Sequence, residues 1–495
     1  MNRDKLNAIV LLLITMVLSI SLFPTLTGVG HDKQVFIYGA MTIWKGQIPY
    51  KTFFDHKPPL IFLMLALAWP FKAWGYYLLG VLTKWIASLF IYKAAKYHKL
   101  SNPWLYPVIF LICLLPPFIL MSGLLTREYA ACFLAILFSV ILMNPGKKYL
   151  LSGVLCALVF HMQQEEMILA FPFVMYYLFA KALDGSKANA ALVFKRILLM
   201  AAGFLLVTAP LIIWIAINGG LTDYWEQSYL FNFFVYESRR PALYKITGTL
   251  SILFHTRFMF LVFPLLALHT YYLIKRKNVS LHLACFFTLL ISLCVKVFAG
   301  RIIDYIAVYH YLLTFSAVVA ISAMLIAKES EQYFPKRYLK PLIFVFTAVL
   351  FFGMWKNSFS SIRKLKYSAT YFQIEELTQQ LQDVRNKDGQ LFVMGHTPFL
   401  GLNNNLNTLS PAKWVYTTQY SQHLENFDKD GNVIKEIMAS LDKNKTTYVL
   451  DFYLKNPVDR KAFQEQWEDY LKKNYTEQYR KHDYILFKRN TNATP

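Results

Sequence analysis

Long apolar blocks alternate with short polar segments from the N-terminus to Trp355. Each block runs for roughly 17–25 residues, the length of helix that crosses the hydrocarbon core of a bilayer. After about Ser360 this pattern stops, because Asp, Glu, Lys, Asn and Gln become frequent. The pattern predicts a polytopic α-helical membrane protein with one polar C-terminal domain. About eleven spans are expected, at residues 6–25, 77–95, 104–122, 129–143, 149–163, 165–180, 197–217, 253–274, 279–298, 306–327 and 340–356.

The polar C-terminal part has its own pattern of secondary structure. The predicted boundary gives a membrane domain over 1–358 and an outer domain over 359–495. LFVMGH, TTYVLDFY and the final YRKHDYILFKRN are typical of strands. Strands that alternate with helices indicate a small α/β layer domain. The helix-like stretches cover residues around 371–386, 432–443 and 459–473.

The charge of the chain is unevenly distributed. The chain has 51 Lys and Arg residues and 29 Asp and Glu residues, an excess of +22. Residues 361–495 hold 19 basic and 16 acidic residues, so most of the excess lies in short loops between apolar blocks. A nucleic-acid partner is not expected, since it would need this charge on a soluble face. With a cytoplasmic N-terminus, the basic loops satisfy the positive-inside rule, which predicts an inner-membrane protein whose C-terminal domain is extracytoplasmic.

The segment FFDHKPPL at residues 53–60 decides this sidedness, because an apolar run from Leu60 to Trp69 follows it. A twelfth span at this point would place every later basic loop outside. The run is short, and Pro70 and Lys72 follow it, which favours an interfacial or re-entrant helix. An ordinary span is the alternative.

Acidic residues of the membrane part concentrate on the predicted outer side. Four of the thirteen fall in cytoplasmic segments, and nine fall at outer helix ends or in outer loops. Solvated loops would account for part of this bias. A carboxylate beside an apolar helix end is costly and is usually functional, so an outward-facing polar chamber is the sharper interpretation. The nine are Asp32, Asp55, Glu128, Glu165, Glu166, Asp223, Glu226, Glu237 and Asp304.

The first outer loop, VGHDKQVFIYGAMTIWKGQIPYKTFFDHKPPL, concentrates the candidate chemistry. The segment DKQVFIYGAMTIW predicts a short amphipathic helix with Asp32 as its N-cap. Gly46, Pro49 and Tyr50 predict a turn that returns the chain to FFDHKPPL. Asp32 is either a capping residue at the membrane surface or a general base at the bilayer edge, and the two roles are compatible.

The loop sequence HDKQVFIYGAMTIWKGQIPYKTFFDHKPPL resembles the first extracytoplasmic loop of the glycosyltransferase C superfamily (GT-C). In particular, it is similar to bacterial relatives of dolichyl-phosphate-mannose–protein mannosyltransferases and of the aminoarabinose transferases that modify lipid A. These proteins have an acidic motif after the first span and an [HD]-K-P-P-L or H-P-P-L motif at the loop's end. TREYAACF, a G-R-x8-H-Y element at residues 300–311 and the C-terminal outer domain agree with the resemblance.

The resemblance implies a membrane glycosyltransferase that moves a sugar from a polyprenyl-phosphate donor to an extracytoplasmic acceptor. Asp32 matches the family's catalytic aspartate, which deprotonates or aligns the acceptor. Lys57 and Arg301 would bind the lipid phosphate, and His56 or His310 would hydrogen-bond or protonate it. The predicted substrate and phosphate site comprises Asp55, His56, Lys57, Arg301, His310 and Tyr311, with Glu128 as a further contact to acceptor or donor.

The sequence departs from the family at Lys33, where many members have a second acid. This change weakens a metal site built on an acid pair, and no HxxxH or HExxH spacing supports one. No metal or other cofactor is predicted, although a divalent cation stays open. The expected partners are a polyprenyl-phosphate sugar, the lipid bilayer, and a glycan, lipid or protein acceptor.

Several candidate residues have a structural alternative. Glu128 follows Arg127, so a local ion pair at a helix start competes with substrate contact. Glu165 and Glu166 fit a polar hairpin turn. The aromatic-rich segment at residues 219–240 is typical of interfacial anchoring, with lipid-tail or sugar contact as the alternative.

Two other classes of function use polytopic proteins of this kind. A transporter or flippase for lipid-linked sugars would have paired broken helices at the bilayer midplane and internal repeats, which the sequence does not show. An O-antigen polymerase or ligase would have one large outer loop late in the membrane region. A transferase is therefore preferred, with the C-terminal domain expected to cap its site or to recognise the acceptor.

Overall fold

The fold is mainly helical with one small sheet near the C-terminus, in a computed structural model of the chain. Spatial contacts divide it into two compact units. The first comprises Met1–Pro24, Tyr76–Ile213 and Ser238–Arg363, and the second comprises Thr25–Gly75, Trp214–Glu237 and Lys364–Pro495. The structure describes residues 3–19, 31–114, 124–143, 148–183, 190–235, 259–275, 278–298, 313–330, 369–395, 397–415, 432–452, 461–481 and 484–490.

The first unit is a set of apolar helices around one buried core. Phe138 stacks on Phe173 inside this core, with ring centroids 4.2 Å apart. Gly153 allows a close helix contact, because a Cβ at this position would lie 2.0 Å from the Met200 carbonyl oxygen. The helices of this unit, two of which continue into the other unit, are Arg3–Leu18, Lys72–Tyr97, Leu105–Cys113, Thr126–Met143, Tyr149–Met162, Met167–Leu183, Ala190–Ile217, Met259–Ile274, Val279–Phe298 and Phe315–Ser330.

Three helices among the described residues are long and apolar enough to cross a membrane. This number is well below the eleven or so spans predicted from the sequence. Other apolar helices are shorter, such as Tyr149–Met162. Five of the predicted spans extend into residues outside the described part of the chain, namely 6–25, 104–122, 253–274, 306–327 and 340–356. The three long helices are Thr126–Met143, Ala190–Ile217 and the continuous helical stretch Leu60–Tyr97. This last stretch comprises a short helix, Leu60–Ala68, the 3-10 turn Trp69–Phe71 and the helix Lys72–Tyr97.

The apolar run after FFDHKPPL forms a separate short helix, Leu60–Ala68. At 1.5 Å per residue its nine residues rise about 14 Å, less than half of a 30 Å hydrocarbon core. The 3-10 turn Trp69–Phe71 lies between it and the helix Lys72–Tyr97, whose first residue has a φ of 51°. The run therefore adds no membrane-length helix of its own.

The residues predicted as spans 149–163 and 165–180 are two helices. The first ends at Met162, and the 3-10 turn Gln164–Glu166 leads into the second, which starts at Met167. The backbone of Gln163 is extended, which ends the first helix. The predicted turn near HMQQEE is confirmed.

The second unit contains the loop that the sequence predicts to be the first outer loop. Its loop helix, His31–Trp44, packs against Leu60–Ala68. Asp32 lies inside the first turn of the loop helix, so the helix begins about two residues earlier than an N-cap at Asp32 would require. A carboxylate in the first turn still interacts favourably with the helix dipole. Gly46 and Tyr50 have positive φ values, 73° and 72°, in the turn that follows.

Gly39 sets the distance between the two helices of this loop. A Cβ at Gly39 would lie 2.4 Å from Phe62 Cδ1 and 2.8 Å from Phe53 Cζ. Phe53 and Phe62 pack edge-to-face, with ring centroids 5.3 Å apart. Only glycine allows this approach without moving the two rings.

Gly39→Ala is expected to lower the free energy of unfolding by about 1–3 kcal/mol, because both rings must move to accept the methyl group. Thermal unfolding of the purified protein in detergent measures this change. Gly46→Asn is the control, since that position has open space and a positive φ that asparagine tolerates. A Gly39→Ala protein as stable as the control would contradict this packing.

The C-terminal domain is a small α/β layer, as predicted. Its strands are β1 (Leu391–Met394), β2 (Tyr448–Asp451), β3 (Tyr475–Arg480) and β4 (Ile485–Arg489), in the order β1-β2-β4-β3. β1 and β2 are parallel, whereas β4 is antiparallel to both β2 and β3. The parallel pair needs a helical crossover, which the sequence between them supplies. The helices are Ala369–Gln380, Leu400–Leu406, Asn432–Lys443 and Lys461–Asn474.

Candidate functional site

Four of the predicted site residues lie together in the second unit. Asp32 is in the first turn of the loop helix, and Asp55, His56 and Lys57 form the turn before Leu60–Ala68, called the DHK turn below. Asp32 is close enough for its negative charge to raise the pKa of Asp55. The loop thus brings two carboxyl groups, an imidazole and an ammonium group into one cluster.

Hydrogen bonds inside the DHK turn fix its shape. Asp55 Oδ1 accepts a hydrogen bond from the Lys57 backbone N–H at 2.9 Å, the short-range contact by which aspartate stabilises turns. Lys57 Nζ lies 3.0 Å from His56 Nε2. Because an ammonium group only donates, Nε2 is the acceptor and the proton of the neutral ring is on Nδ1. Nδ1 lies 3.7 Å from Asp55 Oδ1, so the imidazole is between the acid and the base.

Burial changes the acidity of Asp55, whose residue is only 3% exposed. Burial raises the pKa of Asp55 to about 7, and the charge of Asp32 acts in the same direction. The ammonium and backbone N–H of Lys57 lower this pKa and offset part of the increase. Asp55 is therefore partly protonated at neutral pH.

Three polar side chains of the π-helix Glu226–Val235 hold the backbone around the DHK turn. Gln227 accepts a hydrogen bond from the Asp55 N–H at 3.2 Å and donates one to the Tyr50 carbonyl oxygen at 2.7 Å. Asn232 Nδ2 donates to the His56 carbonyl oxygen at 2.9 Å. Ser228 completes the set through the Lys57 carbonyl oxygen at 3.3 Å.

These three residues were missed in the sequence, where their segment was interpreted as an interfacial anchor. Gln227 and Ser228 precede Asn232 by five and four residues. Such spacings place polar groups on one side of a helix whose hydrogen bonds run over five residues, a geometry that is frequent at functional sites. The spacing of these three polar residues within an aromatic run is the feature of the sequence that could have identified them.

Glu128 lies in the first unit and forms an ion pair with Lys84, and both side chains are buried. Lys84 also donates to Ser19 Oγ at 3.3 Å. One carboxylate oxygen of Glu128 has no hydrogen-bond partner among the described residues. Its neighbour Arg127 pairs with Glu165 and Glu166. Lys84 was not identified in the sequence as a partner of Glu128.

The other predicted site residues, Arg301, His310 and Tyr311, lie outside the described residues. Within the described part of the chain, no group of three or more His, Cys, Asp and Glu side chains could hold a metal ion. Comparison of the sequence with models of known protein families and with curated proteins finds no match.

The raised pKa of Asp55 predicts a pH dependence of stability. In the unfolded chain an aspartate ionises near pH 3.9, whereas Asp55 in the folded protein ionises near pH 7. Between these pH values the unfolded chain has lost the proton, whereas the folded protein keeps it. The free energy of unfolding therefore falls as the pH rises, by at most roughly 1.4 kcal/mol per pH unit, and it levels off above about pH 7.

Asp55→Asn is neutral at every pH and is expected to remove this part of the dependence. Melting temperatures of the wild type and the variant between about pH 5 and 8 measure it. The advantage of the variant should grow as the pH rises. A constant difference across this range would show that the pKa of Asp55 is not raised.

Proposed function

We propose that the protein is a membrane glycosyltransferase that moves a sugar from a polyprenyl-phosphate-linked donor to an extracytoplasmic acceptor. The observation that carries the proposal is the convergence of Asp32 with the DHK turn. This cluster offers a carboxylate to take a proton and an ammonium group to compensate the charge of a phosphate. The resemblance of the loop to the GT-C superfamily supports the same class of reaction.

In the proposed reaction, a hydroxyl oxygen of the acceptor attacks the anomeric carbon of the donor sugar. The bond from that carbon to the phosphate oxygen breaks, and the polyprenyl phosphate leaves with the bonding electrons. Asp32 takes the proton of the acceptor hydroxyl. Lys57, together with Arg301 as a second predicted cation, stabilises the charge that develops on the leaving phosphate.

The two carboxyl groups of the site suit different roles. Asp55 is buried, and its raised pKa keeps it partly protonated at neutral pH. Asp32 is only half-buried, so an acceptor can reach it. Two carboxyl groups in such different environments can take different roles in one reaction, one as an acid and the other as a base. We therefore assign the proton transfer to Asp32. Asp55 holds the DHK turn and the ammonium group of Lys57 in place.

The membrane arrangement is part of the proposal. About eleven spans, a cytoplasmic N-terminus and an outer C-terminal domain fit the distribution of basic loops. The three long apolar helices support membrane insertion by their length and composition. In this arrangement the first outer loop lies where a lipid phosphate meets water, with the polyprenyl chain of the donor in the bilayer.

The test is a transfer assay in proteoliposomes that contain the purified protein and polyprenyl-phosphate donors with radiolabelled sugars. Fractionated cell-envelope material supplies the acceptor. A transferase joins the label covalently to an acceptor fraction. A flippase moves the labelled lipid across the membrane and leaves the sugar bound to it, so that result would replace the proposal.

A further inference from the structure

The C-terminal domain contacts the loop helix that carries Asp32. Contacts at three loop positions join them. Gln34 and Tyr38, four residues apart, lie on one face of the helix, and Lys45 directly follows its end. Asn404 Nδ2 donates to Gln34 Oε1 at 2.8 Å, and the Ser410 N–H donates to Tyr38 Oη at 2.7 Å. The third contact is an ion pair between Lys45 and Asp388.

The same domain contacts the residue directly before the DHK turn. The Phe54 N–H donates to the Lys413 carbonyl oxygen at 2.7 Å. The Phe54 ring stacks on Trp414, with centroids 5.2 Å apart and an angle of 22° between the planes. Trp414 is buried, and its Nε1–H donates to Glu436 Oε2 at 2.9 Å, which anchors it to a helix of the C-terminal domain.

Short segments of one domain therefore hold both parts of the candidate site. We propose that the C-terminal domain is a positioning element, in which Trp414 and the Lys413 carbonyl group hold the DHK turn at a fixed place relative to Asp32. The catalytic consequence rests on the proposed function, whereas the contact itself does not. Trp414 is a positioning residue, since it acts through Phe54 and not on the reacting atoms.

The size of the effect follows from the geometry of the reaction. A base and a phosphate-binding cation must meet the same donor sugar, and a displacement of about 1 Å can lower a rate about 100-fold. Gln227, Ser228 and Asn232 hold the turn from another side. Loss of Trp414 is thus expected to shift and loosen the turn without unfolding it.

Hydrogen–deuterium exchange of the full-length protein in detergent tests the contact without any substrate. The readout is exchange in the peptide that contains Phe54 and the DHK turn. Trp414→Leu is expected to speed this exchange at least about tenfold, whereas Trp414→Phe, which keeps a ring against Phe54, restores slow exchange. Trp467→Leu is the matched control, because Trp467 is a buried tryptophan of the same domain that packs on Phe392.

Transfer from a polyprenyl-phosphate sugar tests the positioning role. For Trp414→Leu, kcat is expected to fall about 10–100-fold with a smaller change in KM, and Trp414→Phe should recover most of the loss. Trp467→Leu should retain the wild-type kcat. If Trp414→Leu does not fold, Asn404→Ala is the second variant, because it removes the hydrogen bond to Gln34 of the loop helix.

The outcomes separate this inference from the proposed function. Unchanged exchange in Trp414→Leu would overturn the contact, and faster exchange with an unchanged kcat would overturn the positioning role. A wild-type protein that transfers no sugar would overturn the proposed function. In that case, exchange would still decide whether the C-terminal domain holds the turn.

Discussion

Replacing Asp32 with asparagine is expected to lower sugar transfer about a thousandfold while the protein stays folded. A general base contributes about 10²–10⁴-fold to such a reaction, and the amide keeps the shape of the side chain but cannot take a proton. Both kcat and kcat/KM should fall, because the proton moves in the transition state. Initial rates with a polyprenyl-phosphate donor measure the effect.

A second signature distinguishes loss of the base from general damage. The negative charge of Asp32 helps to raise the pKa of Asp55, so Asp32→Asn should lower the pKa of Asp55 below its value of about 7. The decline in stability with rising pH should then end at a lower pH. Glu226→Gln is the matched control, since it removes an exposed carboxylate of the same unit. An active Asp32→Asn enzyme would exclude Asp32 as the base.

Replacing Lys57 with methionine is expected to lower kcat about 100–1000-fold. The substitution keeps an apolar stem of similar length and removes the charge that, in the proposed reaction, stabilises the leaving phosphate. Loss of one such group typically has this effect. Lys57→Arg keeps a positive charge with another geometry and should retain more activity. Steady-state kinetics with one donor at saturating acceptor give both kcat and KM.

The effect of Lys57 on Asp55 has the opposite sign to that of Asp32. The charge of Lys57 lowers the pKa of Asp55, so Lys57→Met should raise this pKa further, and stability should keep declining to a higher pH. Lys51→Met is the control, because Lys51 is exposed and its only described hydrogen bond, 3.4 Å to the Asn218 carbonyl oxygen, lies outside the DHK turn. Equal kcat values for Lys57→Met and Lys51→Met would remove Lys57 from the mechanism.

Local sequence patterns were sufficient for several elements of the structure. Helical spacing from Asp32 predicted the loop helix to within about two residues at its start, and Gly46 marked the turn after it. The parallel strands β1 and β2 lie within the β-branched and aromatic segments predicted as strands at 391–396 and 446–453. These features depend on neighbouring residues, whose periodicity and turn preferences act over a few positions.

Contacts between distant residues could not be predicted in the same way. Gln227 meets Asp55 across 172 positions of the chain, and Asn232 meets His56 across 176. Trp414 is more distant still from Phe54. Glutamine, asparagine and tryptophan have common structural roles in loops and interfaces, so their type alone does not identify a partner. Only the packing of the folded unit brings them to the DHK turn.

In the proposed reaction, Asp32 and the DHK turn transfer a sugar from a polyprenyl monophosphate. The most direct measurement is mass spectrometry of the lipid product after incubation of nanodisc-embedded protein with polyprenyl-monophosphate sugars and envelope acceptors. The predicted result is free polyprenyl phosphate in amounts equal to the transferred sugar, with almost none from Asp32→Asn. Absence of polyprenyl phosphate for every sugar tried, or equal use of pyrophosphate-linked donors, would contradict the claim.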